Sequence, residues 1–247
     1  MDKLLHYKIF EPYQNLVAFT TTKQSIENDA VRFTGDEPSV YQDNRTQLAS
    51  LLGIEIDKLI FPRQTHSSNV CKLVGVPEEE IAETDALVSD QKNLCLCVQT
   101  ADCVPILLFD PVKKVAAAVH AGWRGTVQQI VRKTIEKMIL EYGCSATNIL
   151  AAIGPSIGPE VYEVGDEVVT AARISIPKAE KTLHQNASGK FHFDLWEANQ
   201  LILLDCGLTK ENIEVQEECS FLKSEKYFSA RREGVQTGRM VTGIMLL

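Results

Sequence analysis

The sequence predicts a mixed α/β protein, with mixed sheets covered by helices, and three observations point there. Strand-length apolar runs cluster in the middle of the chain at 94–98, 104–109 and 115–119, separated by polar breaks, with Asp110-Pro111 supplying a turn. An amphipathic stretch follows, its apolar residues at 127, 130, 131, 135, 138 and 139 keeping helical spacing until Gly143. Strands and helices then intermingle without the regular alternation of a doubly wound sheet.

Taken in order, Asp43-Asn44 followed by Leu48, Leu51, Leu52 and Gly53 reads as a short helix with an N-cap and a glycine stop. Residues 59–61 form a strand that runs into the polar segment 63–68, and 70–74 alternates as the next strand, placing His66 at a strand edge or turn. Gly154-Pro155-Ser156-Ile157-Gly158-Pro159 is a rigid loop, and 195–206 is a second helix stopped by Gly207. Residues 213–247 read as short strands around a basic loop. No repeat, low-complexity tract or linker interrupts 1–247, so one domain is expected.

Composition narrows the function. Against 25 Lys and Arg stand 33 Asp and Glu, a net charge of -8. Such a chain is a poor match for a polyphosphate backbone, so nucleic acid is not expected as a partner. No apolar run approaches the roughly 18 to 20 residues of a membrane span. Met1-Asp2-Lys3-Leu4-Leu5-His6 lacks the features of a secretory signal, so a cytoplasmic protein without a membrane partner is expected. Seven cysteines, an odd number scattered from Cys71 to Cys219, fit reduced thiols better than a disulfide framework.

Five histidines are present, and their contexts differ. His6, His184 and His192 read as solvated or packed side chains. His120 instead ends an apolar strand and is followed by Ala121-Gly122-Trp123-Arg124-Gly125, a glycine turn into the amphipathic helix. Cys103 lies just before another strand, in Gln99-Thr100-Ala101-Asp102-Cys103. Two imidazoles and a thiolate suit divalent zinc and leave a fourth position open, so His66, Cys103 and His120 are candidate ligands; their wide spacing leaves a site and three unrelated residues evenly balanced. Asp102 is a candidate for orienting the loop or a ligating histidine. Cys95 and Cys97 share one face of an apolar strand and read as core filling. Arg45, Arg63, Arg124, Arg231, Arg232 and Arg239 sit beside polar turns, which suggests a pocket for a small anion, with loop capping or pairing to carboxylates as the alternative. For Arg45 and Arg124, beside the candidate site, the two readings stand level. Neither a P-loop nor G-x-G-x-x-G after a strand is present, which removes support for ATP- and NAD-dependent readings.

Several of these segments fall in one order: Gln64-Thr65-His66, Thr84-Asp85-Ala86-Leu87-Val88, Thr100-Ala101-Asp102-Cys103-Val104-Pro105, His120-Ala121-Gly122-Trp123-Arg124-Gly125, Ile153-Gly154-Pro155-Ser156-Ile157, Tyr162-Glu163-Val164-Gly165 and Ser229-Ala230-Arg231-Arg232. With Asn44-Arg45 and Thr237-Gly238-Arg239 they span most of the chain, which resembles the YfiH-like, laccase-domain family. The resemblance implies a single-domain layered α/β/β/α fold and zinc held by His66, Cys103 and His120. It also implies phosphorolysis of adenosine, inosine, guanosine and methylthioadenosine, with adenosine deamination, so the small-molecule partners are a purine nucleoside and phosphate, with Arg45 and then Arg124 the candidates for holding the phosphate. The family's older description is a copper polyphenol oxidase. Multicopper chemistry needs about ten histidines, too many for this chain, although two histidines and a cysteine suit a single Cu2+ as well as Zn2+. Ala230 departs from the larger, often polar residue of many relatives, a change that bears on specificity if the position touches substrate. An amide or ester hydrolase acting through Cys103 and His120, such as an amidase of cell-wall precursor peptides, would use the same residues, and a third class is a non-catalytic metal-binding or interaction module.

Overall fold

The unbroken apolar runs of the middle strands are accommodated by stacking two sheets under helices, so that alternate side chains meet different layers. The computed structural model describes residues 3–28 and 31–247. One sheet has the order β1 (Leu4–His6), β2 (Leu16–Thr21), β14 (Met240–Leu246), β6 (Cys95–Thr100), β3 (Leu59–Ile60). The other runs β13 (Ile213–Val215), β9 (Leu150–Ile153), β7 (Val104–Asp110), β8 (Val115–Ala121), β5 (Ala86–Ser89), β4 (Val70–Lys72). Both are mixed: β3 pairs parallel with β6, β4 with β5 and β13 with β9, and the remaining neighbours are antiparallel. A small sheet of β10 (Glu163–Val164), β12 (Phe191–Phe193) and β11 (Leu183–Gln185) stands apart.

Leu107 and Phe109 of β7, Ala116 and Ala118 of β8, and Leu96 and Val98 of β6 fill the space between the large sheets. The alternate residues of β7 and β8, Ile106, Leu108, Ala117 and Val119, pack against Ile135 and Met138 of α3 (Ile130–Tyr142) and Ile202 of α5 (Leu195–Asp205). On the opposite outer face Cys95, Cys97 and Phe19 pack with Leu48 of α1 (Gln42–Leu52). The layers are therefore α/β/β/α, as expected. Burial on both faces is why β7 and β8 read as unbroken apolar runs. Cys95 and Cys97 are buried core residues, and all seven cysteines are free thiols.

Several boundaries differ from expectation. The first helix begins at Gln42 after Tyr41, so Asp43 and Asn44 lie in its first turn, and Asn44 is buried with its amide donating to the Arg32 carbonyl at 2.8 Å. Its stop is as read: Gly53 takes φ 68°, a left-handed conformation suited to glycine. The amphipathic stretch is two helices, α2 (Trp123–Val127) and α3, because Gln129 turns left-handed at φ 58° and breaks the path. Residues 166–175, unread in the sequence, form α4 (Asp166–Ser175), and a single turn forms α6 (Ala230–Glu233). The C-terminal segment is not only short strands: β14 spans seven buried residues at the centre of its sheet. His184 lies in β11, in register with His192 of β12.

Candidate metal and active site

Asp85, buried immediately before β5, organises the site. After β3 the chain turns through residues 63–68, and His66 takes φ 59°. The backbone N–H groups of Thr65, His66 and Ser67 donate to the Asp85 carboxylate at 3.2, 3.0 and 2.7 Å, and the Ser67 hydroxyl adds a fourth bond at 2.6 Å. One of its oxygens also lies 2.7 Å from Nδ1 of His120, in β8. A single carboxylate thus fixes His66 through its backbone and His120 through its ring. With Nδ1 committed, Nε2 of His120 is left for a ligand, the usual arrangement behind a metal-binding histidine. Burial pushes the Asp85 carboxyl up, but hydrogen bonds from His120 and Ser67 outweigh it and hold the group at about 2. Burial lowers His120, yet Cys103 and Asp85 raise it to about 9.

Cys103 reaches the same place through sheet register. Pro105 pairs with His120 and Val104 with Ala121, so the residue preceding β7 is brought alongside the end of β8. Its loop is held by Asp102 at φ 93°, whose carboxylate accepts from the Ser220 hydroxyl and the Arg231 N–H, both at 2.7 Å, while its carbonyl accepts from Ile157 N–H at 2.9 Å. Of the two orienting roles considered for Asp102, the loop is the one these bonds serve; the histidine is oriented by Asp85. Burial raises the half-buried Cys103 thiol, but His120 and His66 prevail and bring it down to about 6.

The ligand atoms of His66, Cys103 and His120 all lie within 4.8 Å of one another. Nε2 of His66 is 3.8 Å from Sγ of Cys103, and the two imidazole rings have centroids 5.0 Å apart. Donors sharing a tetrahedral zinc sit roughly 3.5 Å apart, given its usual bond lengths, so the set fits a metal after a small closure. Gly122 provides the room. A Cβ there would lie 2.9 Å from the Cys103 sulfur and 3.1 Å from Cδ2 of His66, which excludes any other residue without moving a ligand.

The donor set opens into a cavity of about 740 Å³, a size ordinary for small-molecule sites. Arg32, Arg63, Arg231 and Arg239 line it, with Tyr162 and Ala230. The Arg231 guanidinium lies 5.1 Å from the Tyr162 ring centre. Burial and the neighbouring Cys103 push the Tyr162 phenol up to about 12, so it stays a neutral donor.

Neither Arg45 nor Arg124 is among the side chains lining this cavity, although the Arg124 charge lies near enough to act on the lining Tyr162. The Arg45 guanidinium sits 4.6 Å from the Tyr41 ring and 4.8 Å from the Phe61 ring, and its Nε donates to the Phe33 carbonyl at 2.6 Å. It lines a neighbouring recess of about 280 Å³ that shares Arg63 and Glu80 with the main cavity. Arg124 lies over the Trp123 ring at 4.6 Å. Sequence reasoning assigned no role to Asp85, Ser67, Tyr162 or Arg32. The one available signal was a carboxylate directly ahead of the apolar strand 86–89, where an ion has to be paired to be buried.

Two stacked sheets under helices, with Cys103 and His120 at the end of the central hairpin meeting His66 from the turn after β3, define a layered α/β/β/α protein with a donor set able to hold a metal ion. Residues 23–247 match the family described as multi-copper polyphenol oxidoreductase laccase, and the chain belongs to that family of enzymes. It is 36% identical over 268 residues to a purine nucleoside phosphorylase of Bacteroides thetaiotaomicron, covering 99% of this chain and 96% of that protein. It is 37% identical over 247 residues to the adenosine deaminase RL5 of an unknown prokaryotic organism, covering 94% of each. Among solved structures, the Bacillus licheniformis hypothetical protein YfiH superposes with a TM-score of 0.92 at 28% identity, covering 100% of this chain and 97% of that one. YlmD from Geobacillus stearothermophilus gives 0.89 at 28% identity, covering 100% and 99%.

Proposed function

We propose that the protein is a zinc-dependent purine nucleoside phosphorylase that also deaminates adenosine. The observation carrying this reading is the convergence of His66, Cys103 and His120 on one cavity of small-molecule size, in a chain whose relatives are named for these two activities. His66, Cys103 and His120 would hold the ion, with Asp85 fixing both histidines. When bound, zinc supplies a Lewis acid that polarises a substrate or water oxygen and lowers the pKa of water.

In phosphorolysis an oxygen of phosphate bonds to the ribose C1′ while the bond to the purine nitrogen breaks, its electron pair leaving with the base. Ribose 1-phosphate and free purine result. The chain's own contributions are cationic groups for the phosphate and a proton donor for the departing base. Tyr162, protonated at neutral pH and lining the cavity, is the candidate donor. Arg45 and Arg124, the sequence candidates for phosphate, are not among the lining side chains, and the guanidiniums that do line the cavity are the better placed for that role. In deamination water adds at C6 of adenosine and ammonia leaves, giving inosine.

The test is incubation of the metal-replete protein with adenosine, with and without phosphate, followed by separation of adenine, inosine and hypoxanthine. Adenine formed only with phosphate, and inosine formed in both, is the expected pattern; no conversion overturns the reading. Elemental analysis after metal-free purification decides zinc against copper. A second reading rests on a separate observation. Asp85, His120 and Cys103 stand in the order of a carboxylate–imidazole–thiol hydrolase, with the thiol lowered to about 6. An amidase acting on cell-wall precursor peptides through Cys103 would keep its activity after chelation, whereas the nucleoside reaction would lose it.

A further inference from the structure

Arg32 and Arg239 are far apart in sequence, yet they meet at one atom. Nη2 of Arg32 donates to the Val235 carbonyl at 3.1 Å, and Nη2 of Arg239 donates to the same oxygen at 3.0 Å. Both residues line the main cavity. Nη1 of Arg239 is held from behind by the carbonyls of Thr237 at 2.6 Å and Gly238 at 3.0 Å. Among the described residues, neither guanidinium has a carboxylate within ion-pairing distance, although the chain is acidic overall. Two cations brought together around a neutral carbonyl repel one another, and that arrangement is stabilised when a third, anionic group enters. Of the five N–H donors of each guanidinium, three on Arg239 and one on Arg32 are engaged, so both retain donors for an oxyanion.

We propose that Arg32 and Arg239 form the subsite that binds inorganic phosphate in the cavity holding His66, Cys103 and His120. This rests on the phosphorolytic reading above and deepens it, since it names the residues that hold the attacking anion. Burial and the adjacent Arg32 charge push Arg239 down to about 10 against the opposing pull of Cys103 and Asp102, and it remains charged at neutral pH. The rear carbonyls fix Arg239 before the ligand arrives, which reduces the ordering required on binding. A phosphate ester carried on a nucleotide would present the same chemistry as free phosphate, and the experiment separates the two.

Inorganic phosphate is titrated calorimetrically into the zinc-loaded protein and into Arg32→Gln, Arg32→Lys and Arg239→Lys, with folding checked by thermal melts. Arg132→Gln, which alters a guanidinium paired with Asp205 outside the cavity, is the control. Arg32→Gln and Arg239→Lys are expected to weaken phosphate binding by at least about tenfold, since each removes a charge-assisted donor set. Arg32→Lys restores part of the loss, and the control matches the parent protein. Equal affinity in parent and folded Arg32→Gln overturns the assignment, as does binding of adenosine monophosphate that free phosphate neither matches nor displaces. If the parent protein binds phosphate at these residues but never cleaves adenosine, the anion subsite stands and the phosphorolytic reading falls. If it cleaves adenosine with an unchanged KM for phosphate in Arg32→Gln, the reverse holds.

Discussion

Replacing Asp85 by Asn tests the central claim that one carboxylate positions both histidines. Oδ2 of Asp85 accepts from Thr65 N–H, Ser67 N–H and the Ser67 hydroxyl, and Oδ1 accepts from His66 N–H and pairs with His120 Nδ1. An asparagine offers one oxygen and one NH2, so whichever way it turns, at least two donors face a donor. At about 1 to 3 kcal/mol for each of two buried groups left unsatisfied, the variant loses roughly 2 to 6 kcal/mol. An independent route gives a compatible figure. Asp85 lies about 2 units below its ordinary 3.8, worth about 2 to 3 kcal/mol at 1.36 kcal/mol per unit. The sign follows from a lowered carboxyl: the stabilisation is complete above the unfolded value near 4 and is lost as pH falls towards 2. Urea unfolding of metal-free protein from pH 7 to pH 2.5 measures both numbers, and zinc competition with a chromophoric chelator measures the site. Zinc affinity should fall by about 10- to 100-fold, as when a histidine's orienting partner is removed. An Asp85→Asn protein within about 0.5 kcal/mol of the parent, with unchanged zinc affinity, would refute the argument.

Gly122→Ala places a methyl 2.9 Å from the Cys103 sulfur, so the folded variant should bind zinc at least about tenfold more weakly by the same chelator competition. Cys103 in metal-free protein should react with iodoacetamide with a midpoint near pH 6, while Cys144 and Cys206, raised to about 12 and about 11, stay unmodified at pH 7. Peptide mapping reads the outcome, and zinc should protect Cys103. Asp102→Ala leaves Ser220 and the Arg231 N–H without their acceptor and puts a residue poorly suited to φ 93° in the loop. It should cost about 2 to 4 kcal/mol in urea unfolding and lower kcat on adenosine.

Much of the fold was legible because its signals are local. The runs at 104–109 and 115–119 became the central hairpin, and Gly53 and Gly143 stop their helices in the left-handed conformation for which glycine has no side-chain penalty. The break at Gln129 escaped notice because the apolar spacing on both sides of it still fits one helix. The last strand was missed as a long central element, since Met240–Leu246 carries Thr242 and Gly243 within its apolar run. Thr242 is satisfied inside by the Thr20 hydroxyl at 2.7 Å, itself 2.6 Å from the Tyr7 hydroxyl.

The sequence by itself determined the chemistry available: two histidines and a cysteine at strand ends, too few histidines for a multicopper enzyme, and an acidic chain carrying arginines beside its turns. Family motifs in order gave the layered fold. Only the tertiary structure decided which side chains act together. Asp85 joins His66 to His120 because β5 lies beside β8, and Cys103 joins them because Pro105 pairs with His120. Arg239 meets Arg32 at a carbonyl while Arg45 turns away between two aromatic rings. These pairings follow from sheet register and packing across long stretches of chain, where a one-residue slip would send each side chain to the opposite face.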